Sequence, residues 1–496
     1  MSTVSERART EWLWVAIALA LAILLAALEP AGDFLGGVLT YAALFFFGGL
    51  LLRATLGWLR PSEASRPLAA AVGAAIILRL LFGLIFTQSL PRLGYPDSEP
   101  HIHGYYYLDA YDRDRDAWRI AHDDLPISGA FTNPERSDQY GGLLFITALA
   151  YRTLSPEVQR QMLIVGMSAV AGGLAVLFGW GFTFRRFGAA PALVAAWILA
   201  IFPEAIFLGA SPMREPFLIA ALAASLYGYA LFRDGKRSPG IVTMLVALAL
   251  TTALSPPYAL LFAGTLLVAW VWEGGRRSVR IILVTGAVIG IALVLTIGAW
   301  SQIGTAPQGS PIGLLDWWIN SGAQFELHKL ERGSGLVQKY FELAPEWAHM
   351  PMATAYGLVQ PFLPATLMDA TSLPLPRLLG VLRGLGWFAL LPLLIYAPFA
   401  AVKTAGWRSL QAYLSLLIWL IAIGAAYRLA GDQWDNPRAR AVYLAVQAAI
   451  SGWVWFQAKQ SPSPWLRRVI IVVAVATLVF LQWYAGRYYQ TPRLNL

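Results

Sequence analysis

Residues 161–186 read QMLIVGMSAVAGGLAVLFGWGFTFRR, a long apolar run that ends on two arginines. A helix needs roughly 20 apolar residues to cross the hydrocarbon core of a bilayer. Lys and Arg collect in the short loops on the cytoplasmic side of such helices. The stretch therefore predicts a transmembrane helix whose C-terminal end lies in the cytoplasm.

The composition of the whole chain agrees with that stretch. Of its 496 residues, 57% are hydrophobic and 13% are charged, whereas a soluble domain has about 45–50% apolar and about 25% charged residues. The chain has no cysteine, which excludes disulfides, thiolate metal sites and a thiol nucleophile. The net charge of +9 falls in short clusters between apolar segments. This placement favours contact with a lipid bilayer over nucleic acid as the reason for the excess.

Thirteen segments have the length and apolar content of a membrane span, so we expect an all-α polytopic membrane protein with about 13 transmembrane helices. A retained first helix is preferred to a cleaved signal peptide. Residues 1–496 are expected to form a single transmembrane domain. The predicted spans are 12–28, 34–52, 67–88, 161–184, 189–209, 216–232, 240–254, 258–273, 281–300, 378–401, 409–427, 441–457 and 469–485.

Seven basic clusters can all be cytoplasmic at once, provided that residues 141–154 do not cross the membrane. That run of 14 residues is short for a span, so an interfacial or re-entrant helix is expected there. The N-terminus is then cytoplasmic. Two large outer-face loops remain, 89–160 and 301–377, and both are expected to carry interfacial helices. The clusters are Arg7/Arg9, Arg53/Arg60/Arg66, Arg185/Arg186, Arg233/Lys236/Arg237, Arg276/Arg277/Arg280, Lys403/Arg408 and Lys459/Arg467/Arg468.

The first outer loop gathers acids in YPDSEPHIHGYYYLDAYDRDRD, residues 95–116. Asp97 and Glu99 stand two residues apart, so in an extended segment they point to the same side. A carboxylate there can act as a general base towards a hydroxyl, although a merely solvated acidic loop fits the spacing too. Residues 106–121 show the periodicity of an amphipathic helix lying on the membrane, with acids such as Asp112 and Asp116 on the wet face.

His101 and His103 lie close to both acids in the sequence. Two histidines with a carboxylate can bind a metal ion. Solvated or structural histidines explain the pattern equally simply, so we expect no required cofactor and leave a divalent metal as an option.

Charged side chains also stand within or beside the predicted spans. A charge at the centre of a span costs roughly 2.5–3.5 kcal/mol on insertion scales, so Arg79 needs a partner or a water-filled cavity. The others are interfacial anchors, ion pairs or ligands of substrate. Arginine suits phosphate because its planar fork donates two parallel hydrogen bonds. The substrate- or phosphate-binding candidates are Arg79, Tyr140, Glu204, Arg214, Glu215, Arg438 and Arg440.

Three motifs resemble the GT-C superfamily of polytopic glycosyltransferases, and in particular the branch of the protein O-mannosyltransferases and the lipid A aminoarabinose transferase. The first motif is the acidic Asp97-Ser98-Glu99. The second is FTNPERSDQYGGLLFITALAYRTLS followed by QMLIVGMSAVAGGLAVLFGWGFTFRRFGAAPALVAAWILAIFPEAIFLGA, which resembles a short outer helix, a span that ends in R-R-x-F-G and an Ala-rich span that ends near a proline. The third is SPMREPFLIAALAASLYGYALF.

The chain also departs from that pattern. Its acidic loop follows the third predicted span, whereas the family's follows the first. Residues 137–142 replace the family's K-P-P-L-Y element.

The resemblance implies transfer of a sugar from a polyprenyl-phosphate donor to a hydroxyl of a lipid, glycan or protein acceptor, with inversion, on the outer face of a bacterial or archaeal cell membrane. Asp97 would be the general base and Glu99 would orient the acceptor. Arg214, Arg438 and Arg440 would stabilise the departing phosphate. Two alternatives stay open: an O-antigen ligase or polymerase that uses a lipid-diphosphate donor, and a transporter or flippase of lipid-linked sugar.

Overall fold

The computed structural model describes residues 2–29, 32–59, 65–123, 125–132, 137–274, 340–369 and 371–489. Every regular element in these ranges is a helix, which confirms the all-α prediction. The chain divides into two compact units, Met1–Ser255 and Pro256–Leu496.

The first unit contains α1 to α12: Ser2–Leu28, Phe34–Leu59, Ser65–Leu93, Glu99–Ile102, Leu108–His122, Gly129–Thr132, Gly142–Leu154, Gln161–Phe187, Ala189–Ile201, Pro203–Gly209, Glu215–Arg233 and Arg237–Leu254. The described part of the second unit contains α13 to α20: Pro256–Trp272, Glu346–Val359, Leu363–Met368, Pro374–Ala405, Leu410–Leu429, Asp435–Ala441, Leu444–Gln460 and Pro464–Tyr489.

Within these ranges, eight helices are long and apolar enough to cross a membrane: Phe34–Leu59, Arg66–Leu93, Gln161–Phe187, Glu215–Arg233, Arg237–Leu254, Pro374–Ala405, Leu410–Leu429 and Pro464–Gly486. A ninth forms if α9 and α10, which meet at a bend of 50°, count as one span. The bend has a chemical cause, because Pro203 has no N–H to donate to the carbonyl four residues earlier.

Four of the thirteen predicted spans are not among these nine. The apolar parts of α1 (Trp14–Leu28) and of α13 are shorter than a full span. The predicted span 441–457 falls mostly on α19, a helix of 17 residues, and the predicted span 281–300 lies outside the described residues. The prediction that residues 141–154 are too short to cross is supported by α7, which has 13 residues.

The core of the first unit is built around α8 and α11. In the most apolar window of these helices, 83% and 89% of the residues are buried. Small side chains let neighbouring helices approach closely. A Cβ atom on Gly228 of α11 would lie only 2.8 Å from the carbonyl oxygen of Gly240 in α12. The two helices therefore touch backbone to backbone.

In the second unit, α16 packs against α17, α19 and α20. Indole N–H groups fix two of its contacts: Trp387 donates to the carbonyl of Leu358 at 3.0 Å, and Trp419 donates to that of Leu394 at 3.0 Å. Only 6% of the apolar window of α20 is buried. A helix this apolar and this exposed has the surface expected of a lipid-facing span.

The predicted outer loop 89–160 contains the short helices α4 to α7. The amphipathic helix predicted over residues 106–121 corresponds to α5. Of the predicted loop 301–377, the structure describes only residues from 340 onward, where α14 and α15 are also short helices.

Candidate functional site

The acidic stretch folds around a buried carboxylate, that of Asp114 on α5. Its two oxygens accept hydrogen bonds from the hydroxyls of Tyr105 and Tyr151, at 2.6 and 2.7 Å, and from the amide of Gln159, at 2.9 Å. Burial raises the pKa of Asp114, while the three hydrogen bonds act in the opposite direction. Asp114 is therefore a structural hub that ties α5 to α7 and to the segment before α8.

The expectation that the acids of α5 form a wet face was wrong for Asp116. Its side chain is buried and accepts a hydrogen bond from the backbone N–H of Ser137 at 3.0 Å. Asp112 does lie near the surface, 3.4 Å from Arg115. The periodicity located the helix, but it did not show which charges the following loop covers.

The two acids of the Asp97-Ser98-Glu99 motif differ in their surroundings. Glu99, at the start of α4, accepts a hydrogen bond from the hydroxyl of Tyr111 at 3.0 Å and lies 4.0 Å from a guanidinium nitrogen of Arg115. Asp97 is exposed in the turn before α4, and it has no hydrogen bond or ion pair with any residue that the structure describes. Of the two acids of the motif, Asp97 is thus the one that no described residue binds.

A polar cavity of about 360 Å³ opens beside Glu99. Arg115 and Tyr111, the two neighbours of Glu99, are part of its wall. The lining residues are Glu29, Thr87, His103, Tyr105, Tyr111, Arg115, Gln159 and Gln161. Sequence reasoning did not find this cavity, because its wall comes from segments that are far apart along the chain.

One wall of the cavity is held by a buried ion pair. Arg160, just before α8, lies 2.9 Å from Glu29 and donates to the carbonyl of Asp33 at 2.7 Å. Tyr41 donates a hydrogen bond of 2.5 Å to the same carboxylate. Burial raises the pKa of Glu29, and these hydrogen bonds and the charge of Arg160 oppose the rise.

The two candidate histidines occupy different environments. Nδ1 of His101 accepts a hydrogen bond from the backbone N–H of Tyr95 at 3.0 Å, and burial lowers its pKa. That nitrogen is therefore engaged by the protein. The ring of His103 stacks on Tyr111 with 5.0 Å between the centroids. Among the described residues, no three His, Asp or Glu side chains are grouped to hold a metal ion.

A second polar cluster brings two predicted residues, Arg214 and Glu215, together with residues that sequence reasoning missed. One oxygen of Asp138 lies 3.9 Å from both Arg214 and Arg113. Arg113 also bonds Asp109 at 3.2 Å, and Glu215 contributes further negative charge. Two guanidinium groups thus face three carboxylates. The cluster carries a net negative charge, so an anion finds less attraction here than an isolated arginine pair would offer.

Asp138 also fixes the start of α7. Its other oxygen accepts the backbone N–H groups of Leu143 and Leu144, at 3.1 and 3.4 Å, as a helix cap does. The chain reaches this position through Gly141, whose φ of +79° favours glycine. The guanidinium of Arg214 lies over the ring of Tyr140 at 5.2 Å. Tyr140 and Arg214, predicted separately, are therefore neighbours.

Arg79, the predicted mid-span charge, is buried against glycines. Its guanidinium donates to the carbonyls of Ala75, at 2.8 Å, and of Leu199, at 3.5 Å. The Leu199 carbonyl is the one that Pro203 leaves without a helical donor. Cβ atoms on Gly172 or Gly209 would come within 2.5–2.6 Å of the Arg79 side chain. Arg79 thus completes the hydrogen bonding of a broken helix.

The other predicted charges also contact protein groups. Glu204 accepts a long hydrogen bond of 3.4 Å from the hydroxyl of Tyr107. In the second unit, Arg438 bonds Asp435 at 2.9 Å. Arg440 donates to the carbonyl of Leu358 at 2.7 Å.

Comparison with known proteins gives a limited likeness. No family model matches the chain, and no curated protein matches it. Solved structures of an archaeal oligosaccharyltransferase from Archaeoglobus fulgidus are similar at a TM-score of 0.39. The AglB complex with an inhibitory peptide and a dolichol-phosphate has 13% identity over 84% of this chain and 55% of that chain. The apo form has 14% identity over 85% and 57%. The chain therefore spans about half the length of these structures, and its function has to be inferred from its own residues.

Proposed function

We propose that this protein is a membrane glycosyltransferase of the GT-C type. It moves a sugar from a polyprenyl-phosphate donor to an acceptor hydroxyl on the outer face of a cell membrane. One observation carries the proposal. In the motif Asp97-Ser98-Glu99, no described residue binds the carboxylate of Asp97, and Glu99 contacts Tyr111 and Arg115, which belong to the wall of a polar cavity in a chain made largely of apolar helices. Glu99, two residues further along the chain, is already engaged by Tyr111 and Arg115.

The proposed reaction follows from ordinary acid–base chemistry. Asp97 takes the proton of the acceptor hydroxyl, and the acceptor oxygen forms a bond to the anomeric carbon with inversion. The bond between that carbon and the phosphate oxygen breaks, and its electron pair leaves on the phosphate. Glu99, held by Tyr111, orients the acceptor. Cationic side chains stabilise the negative charge that develops on the leaving phosphate.

The arginines differ in how well they suit that last role. Arg440 is buried and donates to backbone carbonyls, so it acts first as a structural residue. Arg214 and Arg438 are partly exposed, but each lies close to a carboxylate. Arg115 was not among the predicted residues. It is exposed and lies in the wall of the cavity beside Glu99, but it too lies close to carboxylates, those of Glu99 and Asp112.

The proposal is tested by transfer with the purified protein in lipid nanodiscs. Radiolabelled polyprenyl-phosphate sugars and polyprenyl-diphosphate sugars are supplied in separate reactions, each together with a membrane lipid and glycan extract. A positioned general base contributes about 10²–10⁴-fold to rate, so Asp97→Asn should lose at least about a hundredfold while keeping the melting temperature of the wild type. The matched control is Asp123→Asn, another exposed acid of the same outer segment, which should transfer normally.

The outcomes separate the competing functions. Near-normal transfer by Asp97→Asn would remove this residue from the catalytic role. Transfer only from a lipid-diphosphate donor would favour a ligase or polymerase. Donor that binds equally to wild type and variant and is never transferred would favour a carrier of lipid-linked sugar.

A further inference from the structure

The polar cavity beside Glu99 has an aromatic wall. The rings of His103 and Tyr111 lie parallel, 10° apart in orientation, and Tyr105 meets Tyr111 edge-on with 5.4 Å between centroids. The cavity volume of about 360 Å³ falls within the range of about 300–1,000 Å³ for small-molecule sites. Because Tyr111 also carries the guanidinium of Arg115 over its ring at 5.2 Å, the exposed ring of His103 is the aromatic surface that remains for a compact ring-shaped ligand.

The hydroxyl and amide side chains that line the cavity are oriented so that their oxygens can accept hydrogen bonds from a ligand. Gln159 and Gln161 each donate a side-chain N–H to an internal acceptor, at 2.9 and 3.2 Å, which leaves their carbonyl oxygens for a ligand. Thr87 donates its hydroxyl to its own helix. Tyr105 and Tyr111 donate theirs to carboxylates. Oxygens whose hydrogens point into the protein favour a ligand rich in hydroxyl donors.

The charges around the cavity are compensated within the protein. The carboxylate of Glu29 is bound by Arg160 at 2.9 Å. The guanidinium of Arg115 lies between Glu99, at 4.0 Å, and Asp112, at 3.4 Å. A cation or an isolated anion would have to compete with these pairs. An uncharged ligand would not.

We propose that this cavity binds the ring of an uncharged sugar. A pyranose or furanose has an apolar C–H face for the aromatic rings and several hydroxyls for the acceptor oxygens. Its functional role rests on the proposed glycosyl transfer, because Tyr111 and Arg115 in its wall contact Glu99, which belongs to the same motif as Asp97. The sugar comes either from the donor or from a glycan acceptor, and the chemistry of recognition is the same for both.

Saturation-transfer difference NMR tests the proposal on the full chain in lipid nanodiscs, since detergents with a maltose head would fill the cavity. The probes are glucose, mannose, galactose and arabinose, and dissociation constants are taken from titrations. At least one sugar should show binding. His103→Ala should weaken it about three- to tenfold, the loss expected for one aromatic contact. The matched control is His122→Ala: His122 is another exposed histidine that stacks on an aromatic ring, that of Trp118, but it lies outside the cavity lining. It should bind the sugar as the wild type does.

The experiment can overturn the proposal, and it can also show whether the bound sugar belongs to the donor or to the acceptor. Absence of saturation transfer from all four sugars overturns the proposal, as does equal affinity in His103→Ala and wild type. If a short-chain prenyl-phosphate sugar displaces the bound monosaccharide and the same prenyl phosphate without sugar does not, the cavity holds the donor sugar. If the sugar-bearing compound leaves the signal unchanged, the cavity holds the acceptor.

This result is separable from the test of the proposed function. Sugar binding that depends on His103, together with full activity of Asp97→Asn, would support the cavity as a sugar site and reject Asp97 as the base. Transfer that depends on Asp97 but no sugar binding in the cavity would do the reverse.

Discussion

Replacement of Asp114 by alanine should destabilise the first unit strongly. The carboxylate accepts three side-chain hydrogen bonds, and bonds to a charged group are worth about 1.5–3 kcal/mol each, or about 4.5–9 kcal/mol together. We expect a loss below that sum, about 3–5 kcal/mol as for other broken buried charged interactions, because the burial cost of the carboxylate disappears with it. For a unit of this size, that lowers the melting temperature by about 6–20 °C.

Asp114→Asn separates the charge from the hydrogen bonds. The amide keeps the shape of the carboxylate and one acceptor oxygen, and the hydroxyl of Tyr151 can turn to accept from the amide N–H. The burial cost of the charge also disappears. We therefore expect Asp114→Asn to lose less than half of what Asp114→Ala loses.

The assay follows the loss of monodisperse protein on size-exclusion chromatography after heating, for wild type and variants in one detergent. The control is Asp112→Ala, on the same helix near the surface, whose pair with Arg115 is worth about 1 kcal/mol or less. A melting temperature of Asp114→Ala within about 2 °C of wild type would refute the view that Asp114 is a structural hub.

The raised pKa of Asp114 also predicts how stability depends on pH. A carboxyl group whose pKa is higher in the folded than in the unfolded state binds its proton more tightly when folded. Its contribution to stability therefore falls as pH rises from the ordinary value of 3.8 through the raised pKa. Wild type should gain stability relative to Asp114→Asn as pH falls from neutral through the raised pKa towards 3.8. A difference in melting temperature that stays constant or moves the other way contradicts this.

Two further predictions concern packing and ion pairs. Gly209→Ala should lower the free energy of unfolding by about 1–3 kcal/mol through overpacking, because its Cβ would lie 2.6 Å from Cδ of Arg79. The control is Gly49→Ala, which has open space at its Cβ and should be near neutral in the same thermal assay. Arg160→Met should cost about 3–5 kcal/mol because it leaves the buried carboxylate of Glu29 without its cation. The double variant with Glu29→Gln should recover part of that loss, and a double variant less stable than Arg160→Met alone would contradict the assigned pair.

The sequence predicted the features that depend on local pattern. Long apolar runs located the helices that are long and apolar enough to cross a membrane, and the helical periodicity of residues 106–121 located α5. The short run at 141–154 became the short helix α7. Among the described residues, the predicted spans that are not confirmed are those where an apolar run is short or is interrupted by polar residues, as Gln447 and Ser451 interrupt α19. A hydropathy pattern counts apolar residues, but it does not decide whether a short apolar helix crosses.

The candidate site was less predictable because its contacts join distant segments. Gln159, which bonds Asp114, lies 45 residues along the chain from it. The role of Asp138 depends on arginines from α5 and from just before α11. The only local signal of Asp138 was its position. It lies shortly before the short helix α7, with Gly141 in between, and this position is compatible with a helix cap. Residue types and spacing located the acidic motif, whereas the cavity beside it needed the tertiary structure.

The position of Arg79 has a consequence for biosynthesis. Its α3 emerges from the ribosome well before the Leu199 carbonyl that it binds, which lies 120 residues further on. At about 5–20 residues per second, translation of that interval takes roughly 6–24 s. During this time the Arg79 guanidinium lacks that acceptor, and a charge at the centre of a membrane-spanning helix costs about 2.5–3.5 kcal/mol on insertion scales. Gly172 of α8 and Gly209 of α10, which pack against Arg79, have not yet been synthesised. The insertion machinery must therefore keep α3 away from lipid, or hold Arg79 away from the centre of the membrane, until α8 and α10 are inserted and pack against it.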